Sequence, residues 1–338
     1  MPLTWMTDFG GAMTRSAADL ADMLNAVVGE DPADPATLLI DHTKIPADWR
    51  TKLDITALQG KRIGFVDSAW SDVFGPTTPP FGTNDTIEAM KAVAITYLTA
   101  AGATIVQMGQ LAPLSTCPSA VAAGATTCPN EPGIRPAVPP APTFPAGPTG
   151  PAPTIRSEGW RQYIDAHPEL TAQLGITTEV DVDCSQAKVP YSVTHPSLCL
   201  APARRLTAAE IQTHRDYRQI TRPNAVKLWM DDANVDAVIY PGLLGDLSVN
   251  DGGAPGGTPG TVAFARRDTP SATNGVPTLA LPVGLNPRGQ PINIQFMGRA
   301  WDDATLLGFT YALDHYASLA GQGHQVQQTA PPLPHGSQ

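Results

Sequence analysis

Apolar positions recur at helical spacing at Leu20, Met23, Leu24, Val27 and Val28, directly behind Ser16. This pattern predicts an amphipathic helix over Ser16 to Val28, with Gly29 as its C-cap. Asp31-Pro32-Ala33-Asp34-Pro35 reads as a turn. The run Arg62-Ile63-Gly64-Phe65-Val66 follows the Gln59-Gly60 turn and predicts a buried strand. Asp85 with Glu88 resembles a capping box and opens a second helix, whose apolar face is Ile87, Met90, Ala94, Tyr97 and Leu98. Gly102 ends that helix, and Ala103 to Met108 returns as a strand. Strand, helix and strand at this length predict a crossover unit with parallel strands.

From Leu111 to about Arg156 the pattern changes, with nine prolines between Pro132 and Pro153. Proline lacks the backbone donor and fixes φ, so this stretch predicts an extended surface insertion. Trp160 to Leu174 reads as helical, and the insertion continues to about Arg205. Thr207 with Glu210 is a capping box opening a long helix to about Asp232, kinked or broken at Pro223. Val235 to Tyr240 predicts a buried strand ending at Pro241. Gly242 to Gly260 is rich in loop-forming residues. Leu279 to Val283 and Ile292 to Met297 predict two strands joined through Asn286-Pro287-Arg288-Gly289. Asp302 or Asp303 caps a last helix carrying Leu306, Leu307, Tyr311 and Leu313. The Gln/Pro-rich tail, 322–338, reads as disordered.

Composition narrows the function classes. The 338 residues carry a net charge of −10 and 15% charged side chains. There is no clustered Lys/Arg tract of the kind nucleic-acid binding requires. No run of about 18 apolar residues predicts a membrane span, and no basic n-region marks a signal peptide. Cys117 with Cys128, and Cys184 with Cys199, form two local pairs. Their spacing favours two short-loop disulfides, each worth about 3 kcal/mol in the loop-closure treatment, and hence an oxidising, extracellular or cell-envelope setting. Four free thiols in a cytoplasmic protein are the alternative. No Cys-x-x-Cys pair and no histidine at ligand spacing points to a metal, and no cofactor is expected. His42, His167, His195, His214, His315, His324 and His335 are scattered. A G-x-S-x-G elbow and an H-E-x-x-H helix are both missing from the sequence.

Four segments carry a family resemblance. They are Asp8-Phe9-Gly10-Gly11-Ala12-Met13-Thr14-Arg15 followed by Ala18-Asp19; Arg62 to Phe65 with the Ala100 to Val106 segment; Asp236 to Pro241; and a long C-terminal group. That group runs Gly275-Val276-Pro277, then Leu281-Pro282-Val283-Gly284, then Pro291 to Arg299, then Trp301 to Leu307. In this order they resemble the amidase-signature family. The resemblance implies an α/β fold: a mixed sheet flanked by helices, here with the N-terminal part missing and a Pro-rich insertion. The division it suggests is partial core 1–110, insertion 111–205, C-terminal core 206–321 and tail 322–338.

The family's chemistry is amide hydrolysis by a Ser–cis-Ser–Lys triad, with backbone N–H groups of a G-G-S-S-G-G-like loop stabilising the oxyanion. No such string occurs here. The nearest, Gly252-Gly253-Ala254-Pro255-Gly256-Gly257, contains no serine and stands on the wrong side of the other motifs. No catalytic residue is therefore carried over, and the nucleophile and lysine are expected upstream of Met1. Asp8 and Arg15 match positions near the active-site loop, where charge-assisted hydrogen bonds would brace it. Ala12 replaces a usual proline, and Ala272 a frequent asparagine, leaving Thr273 and Asn274 as candidate pocket residues. The buried amide expected at Gln295 needs a partner.

Two functions are compatible with these residues. One is the C-terminal portion of a hydrolase for small-molecule or peptide amides, inactive by itself. The other is a non-catalytic half that complements a separate N-terminal chain. A self-standing inactive relative is disfavoured, because a truncated sheet leaves an apolar edge and helix faces uncovered.

Overall fold

The computed structural model describes residues 6, 11–32, 37–66, 84–108, 136, 138–148, 150–178, 203–242, 274–285 and 291–321. The chain divides into two compact units. One comprises Met1–Gly10 with Val138–Arg222, and the other Gly11–Ala137 with Pro223–Gln338.

The larger unit is built on a sheet in the order β2-β1-β3-β5-β4. Its strands are β1 (Arg62–Val66), β2 (Thr104–Met108), β3 (Ala237–Pro241), β4 (Thr278–Leu285) and β5 (Pro291–Met297). β1 pairs in parallel with β2 and with β3. β5 runs antiparallel to both β3 and β4, and β4 carries an irregularity between Pro282 and Gly284. The predicted crossover is present: α2 (Asn84–Ala100) joins β1 to β2, and Gly102 closes the turn at φ 84°, where a Cβ is unfavourable. The helix begins at Asn84, so Asp85 is its second residue rather than its cap. The side chains of 84–87 lie outside the described residues.

Two helices pack on one face of this sheet. Met90, Ala94 and Leu98 of α2 are fully buried, as are Leu306, Phe309, Ala312 and Leu313 of the last helix, Asp303–Leu319. The rings of Phe296 and Phe309 meet edge-on at 6.0 Å, so Ile292, Ile294 and Phe296 of β5 point to the helices, while Asn293, Gln295 and Met297 point to the opposite face. A smaller core gathers Ala17 and Ala21 of α1 (Ala17–Val27) around Trp49 and Leu307. The predicted stripe is thereby rotated: Leu20, Leu24 and Val28 pack, but Met23 and Val27 are exposed. Ser16 caps the helix through Asp19 N–H. Gly29 is not the C-cap; extended Val28 takes that place, donating to the Leu24 carbonyl.

The smaller unit contains α3 (Ile155–Ala166), α4 (Pro168–Leu174) and α5 (Ala208–Asp216), the last continued by a π-helical turn at Tyr217–Thr221. The helix expected from Trp160 starts five positions earlier, where Thr154 and Ser157 form a reciprocal cap. The predicted Thr207–Glu210 box is present in both directions. The π turn is the local form of the break expected near Pro223. Arg222 N–H reaches Tyr217 O, five residues back, and α6 (Arg222–Asp232) follows.

Candidate functional site

β1, β2, β3 and β4 point the same way, so their carboxyl ends share one edge, and their amino ends the other. β1 leads to β2 on one side and adjoins β3 on the other, placing a topological switch point between β1 and β3. In open α/β sheets, ligands bind beyond the carboxyl ends of strands at such a point.

The amino edge is a lattice of charge. Arg299 donates to Asp231 Oδ1 from Nε (3.0 Å) and Nη2 (2.6 Å), and to the Val235 carbonyl at 3.0 Å. Lys227 takes the other Asp231 oxygen at 2.6 Å. Hydrogen bonds from Lys227, then Arg299, hold the Asp231 carboxyl below its usual range. Arg62 N–H donates to Asp236 at 2.8 Å, and Arg62 Nε to the Asn234 carbonyl at 2.6 Å. Asp302 occupies the N-cap position of the last helix, but accepts from Arg299 N–H at 2.9 Å instead of capping it. Partial burial pushes the carboxyl of Asp302 upward. Arg299, Lys227 and Arg62 are each tied to a carboxylate or carbonyl, which describes a brace for strand starts.

The carboxyl half of the sheet is different. On the face away from the two covering helices, register sets Tyr240, Gln295 and Ala280 side by side on β3, β5 and β4. The next row is Gly242, Asn293 and Pro282, with Gly242 N–H donating to Asn293 O at 2.8 Å. Gln295 is buried, and its Nε2 donates to the Pro241 carbonyl at 3.3 Å, which is the partner its burial required. Burial pushes the Tyr240 phenol up, so it stays neutral. These two rows carry donors and acceptors but no charge. Sequence reading singled out Gln295 and missed the rest, because the grouping depends on pairing between strands far apart in the chain.

The expected site residues fall as follows. Arg15 is exposed, ahead of α1. Asn274 is buried, next to Gly275 (φ 66°) and three residues before Pro277, whose carbonyl accepts from Gly298 at the amino edge. Asp8, Thr273 and the cysteines Cys117, Cys128, Cys184 and Cys199 lie outside the described residues. Among the described residues no group of His, Cys, Asp and Glu is arranged to hold a metal ion, and no helix is long and apolar enough to cross a membrane.

The smaller unit holds its own polar cluster. The Glu158 side chain is 2% exposed and accepts from Arg205 Nη2 (2.7 Å), Leu206 N–H (2.9 Å) and Gln162 (3.3 Å). Arg205 also reaches Asp165 at 2.7 Å. Glu210, gripped by Arg204 and by the Thr207 N–H, is lowered to about 2. His214 is buried, accepts from Arg218 Nε at 3.3 Å, and leaves Nδ1 unpartnered. Burial, then the charges of Arg218 and Arg222, lower it to about 4. Each carboxylate binds an arginine, so the cluster reads as a set of ties between α3 and the entry to α5.

No protein-family model matches the chain. Among curated proteins it is similar to the glutamyl-tRNA(Gln) amidotransferase A subunit of Roseobacter denitrificans, 25% identical over 322 residues, covering 91% of this chain and 54% of that one. The corresponding protein of Cereibacter sphaeroides (strain ATCC 17029 / ATH 2.4.9) is 31% identical over 96 residues, 26% of this chain and 18% of that protein. Among solved structures, native peptide amidase from Stenotrophomonas maltophilia superposes with a TM-score of 0.54 at 22% identity, over 94% of this chain and 55% of that one. The chain thus spans about half the length of the Roseobacter denitrificans and Stenotrophomonas maltophilia proteins.

Proposed function

Because this chain belongs to the amidase-signature family, we propose that it is the scaffold and pocket wall of a carboxamide hydrolase whose nucleophile comes from outside these 338 residues. The reaction is cleavage of an amide C–N bond by water, giving a carboxylic acid and an amine. In the family scheme a neutral lysine accepts the nucleophile's proton through a bridging serine, and backbone N–H groups hold the oxyanion. No residue of this chain is assigned to those steps. The observation that carries the reading is that three of the four matching segments form adjoining strands: β1, β3 and the β4–β5 pair. Asp8 and Arg15 are proposed to brace the loop that bears the nucleophile.

The test is ammonia release from a simple primary amide by the purified chain. None above the buffer rate is expected. Turnover is expected once a segment carrying the lysine and a G-G-S-S-G-G-like loop is co-expressed. Hydrolysis by the chain alone overturns the reading.

We propose as a second form of the same idea that this chain complements a separately encoded N-terminal half. Co-purification of the two halves supports it, and an uninterrupted longer reading frame removes it. The cysteine pairs are proposed as disulfides of an extracellular or envelope enzyme, checked by intact mass before and after reduction.

A further inference from the structure

We propose that Tyr240, Gln295 and Asn293 form a neutral seat for a carboxamide group, entered over Ala280. The choice of ligand rests on the amide-hydrolase reading, while the seat itself rests on sheet register. Tyr240 pairs with Gln295, and Gln295 with Ala280, so their side chains stand on one face. Tyr240 is only 7% exposed, yet among the described residues its hydroxyl forms no hydrogen bond. The hydroxyl oxygen is not among the side-chain atoms sealed from solvent without a partner, so it is a donor and acceptor that a ligand can reach.

Its neighbour is oriented. Gln295 Nε2 donates to the Pro241 carbonyl, and this fixes the amide the other way round, with Oε1 left as an acceptor. In the adjacent row, the Asn293 carboxamide lies in the space a side chain at position 242 would need. A Cβ there would also stand 2.9 Å from the Asn293 main-chain oxygen. Glycine at 242 is therefore what admits that carboxamide. Asn293 itself is half-buried, and Ala280, beside Gln295, is exposed. The smallest side chain with a Cβ thus marks the open end of a row whose other end is buried.

The chemistry of the occupant follows. Tyr240, Gln295, Asn293 and their row neighbours Ala280, Gly242 and Pro282 carry no charge. A carboxylate or ammonium placed there would lose hydration without a counter-charge. A carboxamide presents one C=O and one or two N–H groups, and a hydroxyl with two carboxamides can satisfy both kinds.

The experiment is titration of propionamide, with propionate as the comparison, into the full chain, followed by NMR of side-chain amide signals. Saturable binding of propionamide, and none of propionate over the same range, is expected. Tyr240→Phe should weaken it about tenfold, the worth of one hydrogen bond. Ala280→Met, at an exposed position, should weaken it at least as much without lowering the melting temperature, by covering the entrance. Equal binding of propionate, no saturable binding of propionamide, or unchanged affinity in both variants overturns the seat. Binding needs no nucleophile, so these outcomes are separate from the turnover test. Reconstituted hydrolysis with no binding effect sinks the seat alone, and binding with no reconstituted hydrolysis sinks the enzyme reading alone.

Discussion

Arg205 and Glu158 are 47 positions apart, yet the Arg205 guanidinium meets the Glu158 carboxylate at 2.7 Å, and that carboxylate is 2% exposed. The same oxygens take the Leu206 N–H and the Gln162 amide. One buried carboxylate thus fixes α3 against the residues leading into α5. Removing it leaves the buried Leu206 N–H without its acceptor, while Arg205 keeps only Asp165. Glu158→Ala should cost about 3 kcal/mol, read as a lower denaturation midpoint. Glu158→Gln, keeping two acceptor lone pairs, should cost less. Equal loss in both variants would show that charge and not hydrogen bonding governs the site.

His214 makes the smaller unit acid-sensitive. Its folded pKa is depressed to about 4 from 6.5. Above pH 6.5 both folded and unfolded chains carry a neutral imidazole, and it contributes no pH dependence. Between 6.5 and 4 the unfolded chain binds the proton and the folded one does not, so stability falls with falling pH, by an amount on the order of 1–3 kcal/mol. Melting temperatures of wild type and His214→Gln over pH 7 to 4 should converge as pH falls. Parallel curves would remove His214 as the cause.

Gly64 lies between Val106 of β2 and Val238 of β3. A Cβ there would run into Met108 Sδ and lie 3.2 Å from Val238 Cγ2. Gly64→Ala should destabilise by about 1–3 kcal/mol through overpacking. The obstacle is mainly the end of a flexible side chain, so Met108→Ala in the same protein should recover part of the loss. A double-mutant cycle with no coupling would contradict this geometry.

Phe296, fully buried in β5, meets Phe309 of the last helix at 6.0 Å. Phe296→Ala should cost about 3–5 kcal/mol. Phe296→Leu should cost less, since it keeps most of the volume. Chemical denaturation at fixed pH distinguishes the two.

Local signals in the chain predicted the elements well. Arg62 to Val66 is a strand because a short apolar run follows a glycine turn, and β1 has those bounds. Thr207 and Glu210 lie three residues apart and satisfy each other, as a capping box predicts. Gly102 and the parallel crossover were legible for the same reason. The errors arose where a local preference competed with a distant partner. Asp302 has the position of a cap, but its carboxylate is engaged by Arg299 N–H. Pro223 foretold a break, but the i to i−5 bond that accommodates it belongs to the residues just ahead. Met23 and Val27 matched the helical period, yet the helices packed behind α1 bury Ala17 and Ala21 instead.

Sequence alone determined the succession of strands and helices, their caps, and the family to which those segments answer. Only the tertiary structure decided which residues stand together: Asp231 with Arg299 at one edge of the sheet, and Tyr240 with Gln295 and Ala280 on one face toward the other. The reason is physical. Helix and strand propensities act over a few residues, whereas register is set by burying one face of every strand at once, and a slip of one residue would send each of those side chains to the opposite face.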